Sequence, residues 1–285
     1  MVKRGIVTLC ILLVGLELLL YPQISNYLAE KNSSSAIQVY QEKVSEFDKA
    51  DLRAAWDAAE EYNESLTGAP VHDPFVEGSG MAMPETYWQT LNIRGVMGFL
   101  DIPKIGVNLP IYHGTSEETL NRGVGHLEGS TLPIGGISRH CVLSGHTGLP
   151  TARLFTDLIE LEEGDTFYIN VLDRTLAYQV DQVKVIEPNV TDDLQRVLGK
   201  DYCTLVTCTP YGVNSHRLLV RGKRIPYDTE QHHTTERVAS SSVDGMVVQA
   251  AAITSAVMLG LIVLVILLKR REKRKDDPKP KQGGE

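Results

Sequence analysis

Thr204-Leu205-Val206-Thr207-Cys208-Thr209-Pro210-Tyr211-Gly212-Val213-Asn214-Ser215-His216-Arg217-Leu218-Leu219-Val220 reads as a strand, a loop and a second strand. Tyr202 to Thr207 is rich in β-formers and runs into a thiol. Pro210, Gly212 and Asn214 are turn chemistry, and an apolar run resumes at Leu218. A hairpin of this kind sets the end of its first strand beside the start of its second. Cys208 and Arg217 are therefore expected as neighbours at one rim. A fixed cation next to a thiol favours the thiolate, which is a chemical reason for the pair.

Outward from this hairpin the pattern stays β-like. Strands are expected at Val96–Ile102, Asn108–Tyr112, Cys141–Ser144, Thr166–Leu172, Thr175–Ile186, Tyr202–Thr207 and Leu218–Ile225. Asp173-Arg174 reads as a tight hairpin turn, and short helices are expected at Thr151–Leu158 and Asp192–Leu198. So many short strands separated by Gly and Pro predict a mainly β domain, a barrel or a sandwich. Upstream, Ser33-Ser34-Ser35 reads as a helix cap. Ile37, Tyr40, Val44 and Phe47, then Ala55, Ala59, Tyr62 and Leu66, follow at helical spacing. One or two amphipathic helices should end near Gly68-Ala69-Pro70, before a loop punctuated by Pro, Gly and Ser.

Charge is distributed unevenly. The 285 residues carry a net charge of −8. Setting aside ten basic and five acidic residues at the two ends leaves 18 basic against 31 acidic, a middle region at −13. That is a poor match for nucleic acid. Gly5 to Tyr21 is apolar apart from Glu17 and follows Lys3-Arg4. It reads as a signal anchor, with a cleaved signal peptide as the alternative. Met246 to Leu268 runs without a charge into the basic cluster Lys269 to Lys275, the pattern of a membrane span with its stop-transfer flank. Basic residues outside both runs predict two cytoplasmic ends and an extracellular middle.

The four cysteines, Cys10, Cys141, Cys203 and Cys208, show no metal-ligand spacing. Cys141 and Cys203 sit in apolar strands and read as buried, inert thiols. Among eight histidines, His232-His233 fall in a polar linker and read as solvated. His72, His113, His126 and His140 fall in loop-like contexts, and His216 should point away from Arg217. His146 is the best partner for the thiol. It follows the apolar stretch Cys141 to Ser144 and stands between Gly145 and Thr147-Gly148, at a strand end open to close approach. No cofactor and no metal centre is expected. The acidic run Glu160, Glu162, Glu163 and Asp165 has the oxygen ligands calcium takes, but reads as a solvated edge.

Thr204-Leu205-Val206-Thr207-Cys208 resembles the TLxTC signature of sortases. Arg217 stands where their essential arginine lies, and Ser144-Gly145-His146 resembles the segment with their histidine. Leu154-Phe155-Thr156-Asp157-Leu158 and Gly164-Asp165-Thr166-Phe167 also resemble the sortase core. The resemblance covers roughly 90–226. Asp73-Pro74-Phe75 resembles the lid motif of the class C, pilus-assembling sortases, which the C-terminal span also fits. The fold implied is a sortase-like closed β-barrel with short helices. The order that results is an N-terminal anchor at 1–22, a helical segment at 33–68, a lid loop at 70–84 and a barrel at 90–227. A linker at 228–245, a span at 246–268 and a basic cytoplasmic tail at 269–285 follow.

The resemblance implies a membrane-bound cysteine transpeptidase at a Gram-positive cell surface. Cys208 attacks the Thr carbonyl of an LPxTG-like motif and forms a thioester. His146 serves as general acid and then base, and Arg217 steadies the oxyanion. The acceptor in the class C type is a pilin lysine, so the implied partners are pilin subunits. Asp73 pairing with Arg217 and Phe75 covering Cys208 would hold a closed lid. Three alternatives stay open: a wall-anchoring sortase using a peptidoglycan-precursor amine, a cysteine peptidase, and a non-catalytic membrane scaffold.

Overall fold

In the computed structural model, residues 2–66, 68, 71–76, 82–230 and 232 are described. The chain starts with two helices, α1 (Val2–Ser45) and α2 (Lys49–Ser65), and a short α3 (Glu85–Gln89). Strands β1 (Gly98–Ile102) and β2 (Val107–His113) follow, then α4 (Glu117–Arg122), β3 (Val124–His126), β4 (Arg139–Ser144) and β5 (Thr166–Val171). The last strands are β6 (Arg174–Ile186), β7 (Asp201–Thr209) and β8 (His216–Ile225). They close into a barrel in the order β1-β2-β3-β4-β7-β8-β6-β5.

The centre of the barrel wall is β7, parallel to β4 and antiparallel to β8. Paired on both edges, it is buried from Tyr202 to Thr207, which explains why this strand reads as an almost unbroken run of β-formers. His140 fastens this wall. Its Nδ1 bonds to the Gln195 carbonyl at 2.8 Å and its Nε2 to Thr204 Oγ1 at 2.7 Å.

The two long helices serve the barrel. Asp48 caps α2 with a reciprocal box: its side chain accepts from Ala50 N–H at 2.7 Å and Asp51 N–H at 2.9 Å, and Asp51 returns a bond to Asp48 N–H. One face of α2 buries Ala59, Tyr62 and Asn63, and Asn63 Oδ1 accepts from Leu132 N–H at 2.7 Å. Glu60 pairs with Arg139 at the start of β4. From α1, Tyr40 reaches the barrel, where its hydroxyl donates to the Met97 carbonyl and accepts from Leu172 N–H at 2.7 Å.

Several sequence expectations are corrected. Ser33-Ser34-Ser35 lies inside α1 and caps nothing. The tight turn is Leu172-Asp173, with Arg174 already paired to Val171. Thr151–Leu158 is not one helix; Leu154 takes a left-handed conformation at φ 42°, and only a short 3-10 turn at Thr156–Glu160 remains. The second expected helix shortens to Asp192–Leu194 because Gln195 turns extended and presents its carbonyl to His140. Strand β3 is unforeseen. It has three residues, and its central Gly125 brings a neighbouring backbone so near that a Cβ there would lie 2.5 Å from the Gly114 carbonyl oxygen. His113, His126 and His140 are buried strand residues, not loop residues. His232 is buried too, packed flat on Tyr168 and bonded to Asp101 at 2.5 Å, so it is not a solvated linker residue.

Among the described residues, no helix is long and apolar enough to cross a membrane. The expected span at 246–268, the basic tail at 269–285 and all of the linker after His232 lie outside the described residues.

Burial holds the imidazoles of His113 and His140 down at about 4, against 6.5 ordinarily. As pH falls the unfolded chain takes up their protons first. The stability they contribute is therefore full above about 6.5 and is lost as pH falls towards 4, up to about 3 kcal/mol each. His126 is shifted the other way, so the informative measurement is a difference. Urea unfolding at pH 7 and pH 5 should show a smaller acid loss in His140→Gln than in the unaltered chain. Equal losses would contradict this assignment.

Candidate active site

The β7–β8 pairing sets Cys208 directly opposite Arg217, with Thr209 opposite His216 as the last rung. The expected neighbours at the rim are therefore in register. The loop between them closes on itself, Asn214 N–H donating to the Pro210 carbonyl at 2.9 Å. Arg217 Nη1 donates to the carbonyls of Asn214 and His216, at 3.1 and 3.0 Å. The guanidinium is thus clamped by its own loop.

His146 arrives from the other side of β7. Ser144 pairs with Val206, and Gly145 N–H continues the ladder to the Val206 carbonyl at 3.1 Å. His146 is the next residue after Gly145, just past the end of the ladder on the Cys208 side of β7. Two further bonds hold the turn: Thr207 Oγ1 donates to the Gly145 carbonyl at 2.7 Å, and Phe155 N–H donates to the His146 carbonyl at 3.0 Å. Gly145 has to be glycine, since a Cβ would meet the Phe155 ring at 2.7 Å. The roles of Thr207 and Phe155 as struts were not drawn from the sequence, although both lie within the stretches that resemble the sortase core.

The loop at 71–76 covers this rim. Asp73 accepts both arms of Arg217, from Nε at 2.8 Å and Nη2 at 2.7 Å, a bidentate pair with both residues 7% exposed. Asp73 Oδ1 also accepts from Phe75 N–H at 3.2 Å, which folds the Asp73-Pro74-Phe75 turn. The Phe75 ring lies 5.8 Å from the His146 ring and under the Arg217 guanidinium at 5.2 Å. Phe75 and Val71 pack on an apolar cluster of Leu127, Val142, Ile186, Leu194, Val206 and Leu219. Behind the loop remains a cavity of about 390 Å³, lined by Val71, His72, Asp73, Val76, Pro188, Asn189 and Thr191.

The electrostatics describe a resting site. Burial pushes the Cys208 thiol up, Arg217 pulls it down, and Asp73 pushes it up again. Burial lowers His146, opposed by the charge of Glu117. Thiol and imidazole are thus both biased towards neutrality while Asp73 occupies the arginine. The acidic run of the sequence is tied down differently: Asp165 bonds to Lys104 at 2.8 Å and to Glu162 N–H at 2.7 Å. Among the described residues no cluster of His, Cys, Asp and Glu is arranged to hold a metal ion.

A closed eight-stranded barrel carries a thiol and a guanidinium opposite each other on β7 and β8, with an imidazole just past the end of β4, and a thiol so placed suits cysteine acyl transfer. The Sortase domain family model matches residues 100–225. Sortase C-1 from Streptococcus pneumoniae superposes with a TM-score of 0.65 at 49% identity, covering 68% of this chain and 100% of that one. Streptococcus agalactiae sortase C1 gives 0.64 at 47% identity, covering 69% and 97%. Sortase D of Bacillus subtilis is 32% identical over 131 residues, 45% of this chain and 63% of that protein. The chain belongs to the sortase family of cysteine transpeptidases, and within it to class C.

If Asp73 and Phe75 keep Cys208 covered and protonated, removing both leaves the pull of Arg217 unopposed. Asp73→Ala with Phe75→Ala should raise the rate of iodoacetamide labelling at Cys208 about tenfold and move its pH dependence to lower pH. Equal rates and an unmoved profile would rule out the closed lid.

Proposed function

We propose that this chain is a membrane-anchored pilin polymerase that cleaves an LPxTG-like sorting motif between Thr and Gly. Cys208 attacks the Thr carbonyl, forms a thioester and releases the glycine-led segment. His146 donates the proton that the leaving amine needs, then removes one from the incoming amine. Arg217 donates to the substrate and to the oxyanion of each tetrahedral intermediate. The acceptor is a lysine amine of a pilin subunit, so each turnover adds one isopeptide link. Asp73, Pro74 and Phe75 form a lid that leaves before the sorting motif enters.

One observation carries this reading: Cys208 and Arg217 face each other across β7 and β8 while a residue 144 positions upstream holds the guanidinium. Aminolysis needs the thioester shielded from water until an amine arrives, and the apolar wall under Phe75 supports that. The two apolar runs, the second of them uncharged, and their basic flanks support anchoring at both ends, with the catalytic barrel outside the cell. The class C relatives support pilin as the partner.

The test is incubation of the full chain in detergent with an LPxTG-like peptide, a pilin fragment bearing a lysine, and a peptidoglycan-type amine in competition. Isopeptide product should dominate. Cys208→Ala should abolish it, and Arg217→Lys should lower kcat/KM by about a hundredfold. Preference for the wall amine would make this an anchoring enzyme. Release of free acid alone would make it a peptidase, and full polymerisation by Cys208→Ala would leave only a scaffold.

A further inference from the structure

The proposed reaction leaves two other thiols unused, and their placement is not that of ordinary core cysteines. Cys141 of β4 and Cys203 of β7 are directly opposite each other in the parallel register. Both are free and buried. Side chains alternate along a strand, so residues two apart share a face. Asp201, Cys203 and Leu205 therefore share the inner face of β7, and the next pair on that face, two residues before Cys141–Cys203, is Arg139–Asp201.

That lower rung opens on space. A cavity of about 780 Å³ at this end of the barrel is lined by Trp56, Glu60, Gly135, Arg174, Asp201 and Arg224, among others. Asp201 stands at its wall, bonded by Gly136 N–H at 2.8 Å and by the Tyr178 hydroxyl at 3.2 Å. The thiol pair lies two residues further along both strands, past the rung His140–Tyr202. Neither sulfur is open to bulk water.

A buried base completes the cluster. His126 is fully buried, bonds to the Tyr87 hydroxyl at 3.0 Å and to the Thr131 carbonyl at 3.0 Å, and contacts Cys141. Burial by itself would raise the Cys141 thiol. The neighbouring Cys203 and His126 counter this and pull the thiol down to about 6. His126 is correspondingly raised and Cys203 pushed well up. Two cysteines facing each other across paired strands are the arrangement in which a dithiol oxidises stepwise, one sulfur meeting the oxidant and the other resolving it.

We propose that Cys141 and Cys203 form an oxidisable dithiol that a hydroperoxide converts into a reversible β4–β7 disulfide. The Cys141 thiolate attacks the peroxide. An S–O bond forms, the O–O bond breaks, and the departing hydroxide takes up a proton to become water. The Cys203 sulfur then attacks the sulfenic acid. The S–S bond forms, the S–O bond breaks, and the hydroxyl leaves with the Cys203 proton as a second water. Two sulfurs are oxidised and one peroxide is reduced. The staple joins the strand that carries Cys208 to the strand that leads into His146. It does not rest on the reading of the rim.

The experiment uses the full chain with Cys208→Ala, so that the exposed thiol cannot consume oxidant. It is treated with hydrogen peroxide, alkylated in denaturant, digested and analysed by mass spectrometry. The expected product is one peptide pair joined through Cys141 and Cys203, lighter by two hydrogens and separated again by dithiothreitol. Adding Cys203→Ser should leave Cys141 as a sulfenic acid that dimedone labels. The proposal is overturned if both thiols remain alkylatable at a peroxide dose that fully oxidises Cys208 in the unaltered chain. It is equally overturned if Cys141 pairs with Cys10 instead.

Discussion

The organising constraint is one guanidinium. Arg217 is only 7% exposed, and a charge so far withdrawn from water costs several kcal/mol unless it is paired and hydrogen-bonded. Two groups can serve it. Asp73 does so here through two short parallel bonds, and Cys208 stands directly opposite on β7. The carboxylate and the thiolate are competing counterions for the same cation. Asp73 pushes the Cys208 thiol up while Arg217 pulls it down, so the proposed opening of the lid would leave the pull of Arg217 unopposed. A loop conformation and a proton on sulfur are linked through one side chain.

The strand pairings of the barrel bring these groups to one end of β7. An antiparallel hairpin supplies Cys208 and Arg217, and a parallel pairing from β4 supplies His146 on the other side of the nucleophile's strand. Neither pairing would fix side-chain positions without the struts around it. Thr207 and Phe155 hold the turn at Gly145-His146, and His140 ties β4 to β7 and to the segment after β6. At the other end, α2 closes over the barrel through Asn63 and Glu60.

What could be read from sequence follows the distance over which each feature is encoded. The Cys208–Arg217 neighbourhood was legible because a hairpin is local: turn residues and two short β runs contain the whole instruction. Seven of the eight strands were legible for the same reason, to within a few residues at their ends. His146 was weaker on spacing alone, because its place depends on a parallel pairing with a strand some sixty residues on, and the family resemblance supplied what local pattern could not. Strand β3 was invisible, since three residues around a Gly show no periodicity. His113, His126 and His140 were misread as loop residues because burial of a polar ring is decided by tertiary partners such as Gln195 and Thr204. The helix expected at Thr151–Leu158 failed at Leu154, whose left-handed backbone no propensity rule anticipates.

The most direct measurement is intact-protein mass spectrometry of the full chain mixed with an LPxTG-like peptide and no amine. The account predicts an added mass equal to the peptide up to its Thr, mapped to Cys208 and removed by hydroxylamine. Peptide cleavage with no adduct on Cys208, or an adduct carried by another residue, would contradict it.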